Sequence, residues 1–233
     1  MGLHVTVVVR SAILRRVLGP GPVVRELRGH GDPDTLVGAE KGVVADAVEV
    51  RRREFAAGRA CARGAMRDLG PDVGALLPGT DRDPQWPVGL VGSITHCDGF
   101  AGAAVAPAAR WRALGIDAEP AEPLPAEVVD VVLTAAERTA LARLPSDQGH
   151  PWDRIVFSAK ESLYKAWSPI RRTPLGFEDA DVRLASDGTF RARVLLADVG
   201  SFPRTVSGRW TVCGGLLATG LALAVRDPTR DLR

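Results

Sequence analysis

The sequence predicts an α+β fold, and three observations predict it. Helical and hairpin patterns occupy different stretches instead of alternating strand by helix, which argues against a parallel sheet. Two long stretches space their apolar residues for helices. The stretch after residue 180 reads as short strands around two tight turns. With 233 residues, 45% hydrophobic and 25% charged, the chain can bury a sizeable core and has the usual globular balance. Whole-chain disorder and collagen-like structure are excluded.

The elements follow in order. The first forty residues are punctuated by Gly and Pro and carry no motif. A long helix is predicted from Val43 to Leu69, with Val44, Val48, Phe55, Ala62, Ala65 and Leu69 as its apolar stripe and Gly70-Pro71 as its stop. A turn-rich stretch, GPDVGALLPGTDRDPQWP, follows. Strands are predicted over Val88–Ile94 and Ala101–Ala106, joined by THCDGF, and over WRALGIDAE, ending at Glu119 before prolines 120, 123 and 125. Thr134-Ala-Ala-Glu137 has the capping-box pattern that opens a helix. A second strong helix spans Pro151 to Trp167, with Ile155, Ala159, Leu163 and Ala166 on one side and Pro169 as its expected end. DVRLA and TFRARVLL flank Ser186-Asp187-Gly188, and GRWTV and LLATGLALAV flank Cys213-Gly214-Gly215.

Charge and cysteine usage narrow the function. The net charge is +2, a poor footing for non-specific nucleic-acid binding. Three cysteines with no CxxC pair give neither a disulfide framework nor a zinc site, so a reducing cytoplasm is expected. The apolar run Val5–Val9 is too short for a signal-peptide core, and Leu216–Val225 is too short to span a bilayer. The expectation is a soluble, cytoplasmic protein with no membrane partner. Only Lys41, Lys160 and Lys165 are lysines among 30 basic residues. Two lysines within six positions, where arginine is otherwise the rule, mark a place that needs an amine able to change protonation state.

Four segments could carry chemistry. In GIDAE, Asp117 and Glu119 are two apart on a strand and share a face. Paired carboxylates suit a hard cation such as Mg²⁺; a solvated strand end is the plain alternative. In FSAKESLYK, Glu161 and Lys165 share a helix face, beside Lys160 and the only tyrosine, Tyr164. The plain alternative is a surface ion pair. Arg51, Arg52, Arg53, Arg59, Arg63 and Arg67 lie on the first helix, and Arg59, Arg63 and Arg67 form a stripe of potential phosphate ligands. A solvated face with Glu54 and Asp68 as partners is the alternative. In GSITHCDG, His96 and Cys97 are neighbours on an extended segment and point apart, which excludes a Cys–His dyad. Thr95 and His96 fit a phosphate or ribose contact, against a structural histidine. No Walker loop, nucleophile elbow, H-E-x-x-H or G-x-G-x-x-G motif is present. On these residues alone, a Mg²⁺-dependent phosphodiesterase or nucleotide hydrolase also stays open, as does a nucleic-acid or anion-binding module built on the arginine helix, against which the near-neutral charge argues.

In order, RRREFAAGRACARGA, PQWPVGLVGSITHCDGF, GIDAEP and WDRIVFSAKESLYKAW resemble the Sfp-type 4′-phosphopantetheinyl transferases, particularly the actinobacterial branch that includes the siderophore-synthetase activators. FEDADV and GRW extend the resemblance toward the C-terminus. It implies transfer of the phosphopantetheine arm of coenzyme A to a serine of an apo acyl or peptidyl carrier protein, with release of adenosine 3′,5′-bisphosphate. Fatty-acid, polyketide and nonribosomal-peptide carriers all qualify. It also implies a monomer of two similar, pseudo-symmetric α+β halves, residues 1–112 and 113–233, with coenzyme A and Mg²⁺ (Mn²⁺ as a substitute) between them. By position, Asp117, Glu119 and Glu161 match the metal-site acids. Glu161 is also the candidate base, acting directly or through a bound water. Lys160 and Lys165 match the lysines near the pyrophosphate, where either would stabilise or protonate the departing phosphate. Arg51, Arg59, Thr95 and His96 match the positions that hold the coenzyme A phosphates. Two departures stand out. Relatives often carry a lysine before the P-x-W-P segment, where this chain has Pro78 and then Arg82 as a substitute phosphate contact. Phe100 and Ala101 replace the Tyr and basic residue that often follow THCxG.

Overall fold

The computed structural model describes residues 8–10, 13–70, 74–145 and 149–225. Most of the apolar run at residues 5–9 and the Pro71 stop signal lie outside the described residues. Two antiparallel sheets organise the chain. The first has the order β1-β2-β4-β3, from β1 (Val8–Arg10), β2 (Val23–Arg28), β3 (Leu90–Cys97) and β4 (Phe100–Pro107). The second has the order β5-β9-β8-β7-β6, from β5 (Trp111–Pro120), β6 (Ala180–Leu184), β7 (Thr189–Val194), β8 (Thr205–Cys213) and β9 (Leu216–Ala224). A long helix packs on each: α3 (Glu49–Leu69) on the first, α6 (Trp152–Arg171) on the second. The shorter helices are α1 (Leu14–Leu18), α2 (Glu40–Val43), α4 (Ala126–Val132) and α5 (Ala135–Leu141). Among the described residues no helix is long and apolar enough to cross a membrane.

The first forty residues, silent as sequence, hold β2 and α1. The short helix α1 packs on β8 and β9 of the second sheet, although it precedes the first sheet's main strands. Ile13, Leu14, Val17, Val24, Phe100 and Ala104 share one buried cluster with Leu114, Ile116, Ala118 and Leu216. The turn at 108–110 thus divides the sheets in sequence, and a common core joins them in space.

The first predicted helix is broken at its start. Residues 40–43 form α2, and α3 begins only at Glu49, because Val48 takes an extended conformation (φ −62°, ψ 154°). Val48 is mostly exposed and does not belong to the stripe. From Phe55 onward the buried face is built of small residues, Ala56, Ala57, Gly58, Cys61, Ala62 and Ala65, which let the helix lie close to the sheet. A Cβ at Gly58 would come within 2.9 Å of Ile94.

Pro169 does not end the second helix, which continues to Arg171 and closes on Arg172 in the left-handed region (φ 53°). Proline lacks the N–H that would serve the carbonyl of Lys165. So near the C-terminus the loss is one bond, and the N–H of Arg172 still reaches the carbonyl of Ser168. The capping box of α5 forms as predicted, with Thr134 Oγ accepting from Glu137 N and Glu137 Oε2 accepting from Thr134 N.

Candidate active site

The site lies where β3, an edge of the first sheet, runs beside β5, an edge of the second. Edge strands leave backbone N–H groups to satisfy. Here side-chain hydroxyls do it: Ile116 N donates to Ser93 Oγ (3.2 Å), and Ala118 N donates to Thr95 Oγ1 (2.9 Å). Asp117 falls between these two residues of β5. Across β5 lies α6, pressed so close that a Cβ on Gly115 would overlap the backbone carbonyl of Ser162. Ser158 and Ser162 on α6 also hydrogen-bond Thr219 of β9. These contacts fix the depth at which Glu161 and Lys165 face β5.

Asp117 is 4% exposed. Its Oδ1 accepts from Lys165 Nζ (2.7 Å) and from Thr95 Oγ1 (3.3 Å). Its Oδ2 is buried without a hydrogen-bond partner. An orphaned buried carboxylate oxygen is costly unless something else supplies positive charge. Glu119 accepts from Arg154 Nη1 at 2.9 Å. Burial pushes the Glu119 carboxyl above its ordinary range and the charge of Asp117 adds to this, while Arg154 and Lys165 oppose it. Glu161 is also raised, first by burial and then by Asp117, with Lys165 opposing. Three carboxyl groups therefore share one electrostatic neighbourhood. Among the described residues, no three acidic, His or Cys side chains are already gathered as a cation cage. The donor set is all oxygen, and Oδ2 of Asp117 with the two raised carboxyls would suit a hard divalent cation.

From Lys165 a cavity of about 760 Å³ opens between the two sheets' helices, within the range of small-molecule sites. Arg51, Arg59, Arg82, His96 and Lys165 line it, so the structure brings five of the predicted cofactor contacts to one cavity, with Phe55, Trp86, Ile94, Leu114 and Tyr164 as apolar surface. Arg51 Nη1 lies 3.2 Å from His96 Nε2, and Glu54 Oε2 lies 3.8 Å from Nδ1. A guanidinium only donates, so Nε2 is the acceptor and the ring proton sits on Nδ1, facing Glu54. Burial holds His96 below its ordinary value, Glu54 opposes that, and Arg51 and Lys165 reinforce it. Arg59 stacks over Phe55 (4.2 Å) and donates from Nε to Leu76 O (2.7 Å). Burial brings its pKa down to about 10, which leaves it charged at neutral pH. Arg82 sits in a tight loop with φ 63°, bracketed by Gly79 N donating to Asp83 O and Gln85 N donating to Leu77 O. Asp83 of that loop pairs with Arg172 at the end of α6 (2.8 Å).

Two predicted site residues are placed elsewhere. Lys160 is 3% exposed, and its ammonium spends all three protons on Val132 O (2.8 Å), Glu137 Oε2 (2.9 Å) and Phe177 O (2.7 Å). That buried pair ties α4, α5 and the 177–179 turn to α6, on a face away from the cavity. Lys160 is therefore a structural lysine, and only Lys165 meets the carboxylates. Thr95 is 2% exposed and has no surface for a phosphate; its hydroxyl is taken up by Ala118 and Asp117. The arginine stripe also separates: Arg63 is bound by the fully buried Glu40, which also accepts from Leu76 N (2.9 Å). Cys97 and Cys61 are held as thiols, each pushed up to about 12 by burial.

The sequence reading missed Arg154, Glu137, Glu40 and the Asp83–Arg172 pair. Glu137 carried a local signal as the third residue of a capping box. The others find partners at separations of 23 to 89 residues, which no local pattern reports.

A cleft lined by Arg51, Arg59, Arg82, His96 and Lys165, with Lys165 bonded to the buried Asp117 behind it, offers donors suited to a phosphate-rich ligand. Comparison with known proteins gives the class. Residues 39–106 match the 4′-phosphopantetheinyl transferase N-terminal domain, and residues 113–224 match the 4′-phosphopantetheinyl transferase superfamily. The 4′-phosphopantetheinyl transferase Svp of Streptomyces mobaraensis is 46% identical over 86% of this chain and 84% of its own length. PptT of Mycobacterium tuberculosis is 41% identical over 83% and 89%, and Npt of Nocardia iowensis is 40% identical over 91% and 100%. The chain belongs to the 4′-phosphopantetheinyl transferase superfamily and is a transferase of that family.

Proposed function

We propose that this protein transfers the 4′-phosphopantetheine arm of coenzyme A to a serine of an apo acyl or peptidyl carrier protein, with Mg²⁺ dependence and release of adenosine 3′,5′-bisphosphate. The observation that carries the mechanism is Lys165, which lines the cavity with Arg51, Arg59, Arg82 and His96 and bonds Asp117 behind it, in the electrostatic neighbourhood of Glu161. The guanidinium groups of Arg51, Arg59 and Arg82 would hold the coenzyme A phosphates and orient the pyrophosphate, with His96, set by Arg51 and Glu54, beside them. Asp117, Glu119 and Glu161 would hold Mg²⁺, or Mn²⁺ through the same oxygen donors. When bound there the cation neutralises charge on the pyrophosphate.

In the transfer, the serine Oγ–P bond forms and the P–O bond to the adenosine bisphosphate portion breaks. Displacement at phosphorus needs positioning and charge neutralisation more than covalent help from the protein. The Glu161 carboxyl, raised by burial, is suited to take the serine proton. Lys165 is suited to meet the charge that develops on the departing phosphate, and its ammonium carries a proton it can give up. No covalent intermediate on the protein is required, so Cys61 and Cys97 need no role in the transfer.

Intact-protein mass spectrometry of an apo carrier protein, incubated with this protein, coenzyme A and Mg²⁺, tests the proposal. A gain of one phosphopantetheine arm that disappears on chelation and in Glu161→Ala supports it. Phosphopantetheine released from coenzyme A without any carrier would point to a hydrolase instead.

A further inference from the structure

Thr95 is buried away from the cavity, yet its hydroxyl touches the most buried carboxylate of the site. A threonine hydroxyl has one proton to give. Its oxygen already accepts from Ala118 N at 2.9 Å, and the acceptor placed for its proton is Asp117 Oδ1 at 3.3 Å. Lys165 donates to that same oxygen. Both donors therefore bind Oδ1, and Oδ2 is left buried and unpartnered. The torsion of an aspartate carboxylate is broad and two-fold, so fixed donors decide which oxygen faces which way. Ser93 performs the same service for the neighbouring amide, accepting from Ile116 N at 3.2 Å. No hydrogen bond joins its hydroxyl to Asp117, whose Oδ1 partners are Thr95 and Lys165.

We infer that Thr95 is a positioning residue for the cation site: it spans the junction of the two sheets and turns Asp117 so that Oδ2 is presented to the divalent cation. This rests on the reading of Asp117 as a cation ligand given above. It also ties the site to the sheet junction. The first sheet's edge strand β3 sets the orientation of a ligand carried by β5, so a displacement of one sheet against the other would be felt at the cation.

The test is direct binding of Mn²⁺, followed by the electron paramagnetic resonance signal of the free ion, with saturating coenzyme A and a coenzyme A blank subtracted. Thr95→Val removes the hydroxyl and keeps the shape, and should weaken Mn²⁺ binding by about ten- to a hundredfold, the usual effect of losing an outer partner of a metal ligand. Thr95→Ser should restore it. Ser93→Ala should lower the melting temperature, as Thr95→Val does, while the Mn²⁺ affinity stays that of the parent protein. Thr95→Ala, which leaves room for a water at the Ala118 amide, serves if Thr95→Val does not fold. Undiminished Mn²⁺ affinity in the folded Thr95 variant, with binding lost in Asp117→Ala, would overturn the positioning role alone. So would equal weakening by Ser93→Ala. A parent protein that binds Mn²⁺ no better than Asp117→Ala would overturn the cation reading and the inference together.

Discussion

Replacing Gly115 by alanine perturbs the site without touching any charged group. Gly115 lies on β5 two residues before Asp117, and the methyl group would overlap the carbonyl oxygen of Ser162 and crowd Ala166, both on α6. The obstacle is helix backbone, so no side chain can swing aside. Restoring ordinary contact requires α6 to move off the sheet by about 1.5 Å, and overpacking of this kind costs roughly 1–3 kcal/mol. The same movement carries Lys165 out of its 2.7 Å contact with Asp117 and shifts Glu161 with it. A misplacement of about 1 Å in a catalytic group can cost on the order of a hundredfold in rate. Gly115→Ala is therefore expected to lose about two orders of magnitude in kcat/KM for carrier modification, with a melting point lowered by several degrees. Gly64→Ala is the matched control. Its methyl would meet only the flexible side chain of Arg25, at 3.5 Å, and alanine stabilises a helix interior relative to glycine by about 1 kcal/mol. A Gly115→Ala protein that melts lower but turns over normally would refute the claim that helix–sheet spacing sets the site. Normal melting as well would refute the packing argument itself.

Two further outcomes are expected. Lys160→Met should damage the fold more than the chemistry: it leaves Glu137 charged and fully buried, a loss of about 3–5 kcal/mol, visible as a lowered urea midpoint, whereas Lys165→Met should lower kcat/KM with a smaller change in midpoint because Lys165 is partly exposed and Asp117 keeps the Thr95 hydroxyl as a donor. For His96, the folded-state value lies below 6.5, so as pH falls through 6.5 the unfolded chain takes up a proton that the folded chain resists, and stability falls until the folded-state value is passed. Urea titrations from pH 7.5 downward should show a steeper loss in the parent protein than in His96→Gln, and parallel losses would contradict the assignment of a neutral, half-buried imidazole.

What the sequence disclosed follows from which forces are local. The strands expected at 88–94, 101–106 and 111–119 form as β3, β4 and β5, β3 extending three residues further, and with the α5 capping box and the hairpins after residue 180 they rest on apolar runs, turn residues and caps, all readable within a few positions. The two misplaced helix boundaries are cases where tertiary contacts override local preference. Val48 is apolar and in phase, yet extended and exposed, because the chain turns there to bring α2 and Glu40 beneath α3. Pro169 is tolerated since α6 continues only two residues beyond it. The carboxylates were legible because GIDAE alternates on a strand. Their partners were not, since Thr95 and Arg154 come from other elements, 22 and 35 residues from Asp117 and Glu119.

Lysine usage shows the limit of reading rarity as chemistry. Lys160 and Lys165 stand out equally in an arginine-rich chain, but helix geometry separates them. At about 100° per residue, five positions place them roughly 140° apart, while Glu161 and Lys165 differ by only about 40°. One face of α6 therefore carries Glu161 and Lys165 toward Asp117, and the other carries Lys160 into the hydrophobic cluster with Val132 and Phe177. Both sites favour a lysine, for different reasons. At 160 a compact ammonium has three donors for three converging acceptors, and a planar guanidinium would not satisfy all of them from the same buried point. At 165 a single ammonium faces one carboxylate and lines the cavity, where it can meet the charge of a departing phosphate. Lys160→Arg should therefore lower stability, and Lys165→Arg should keep stability while lowering turnover. The reverse pattern would exchange the roles assigned to the two residues.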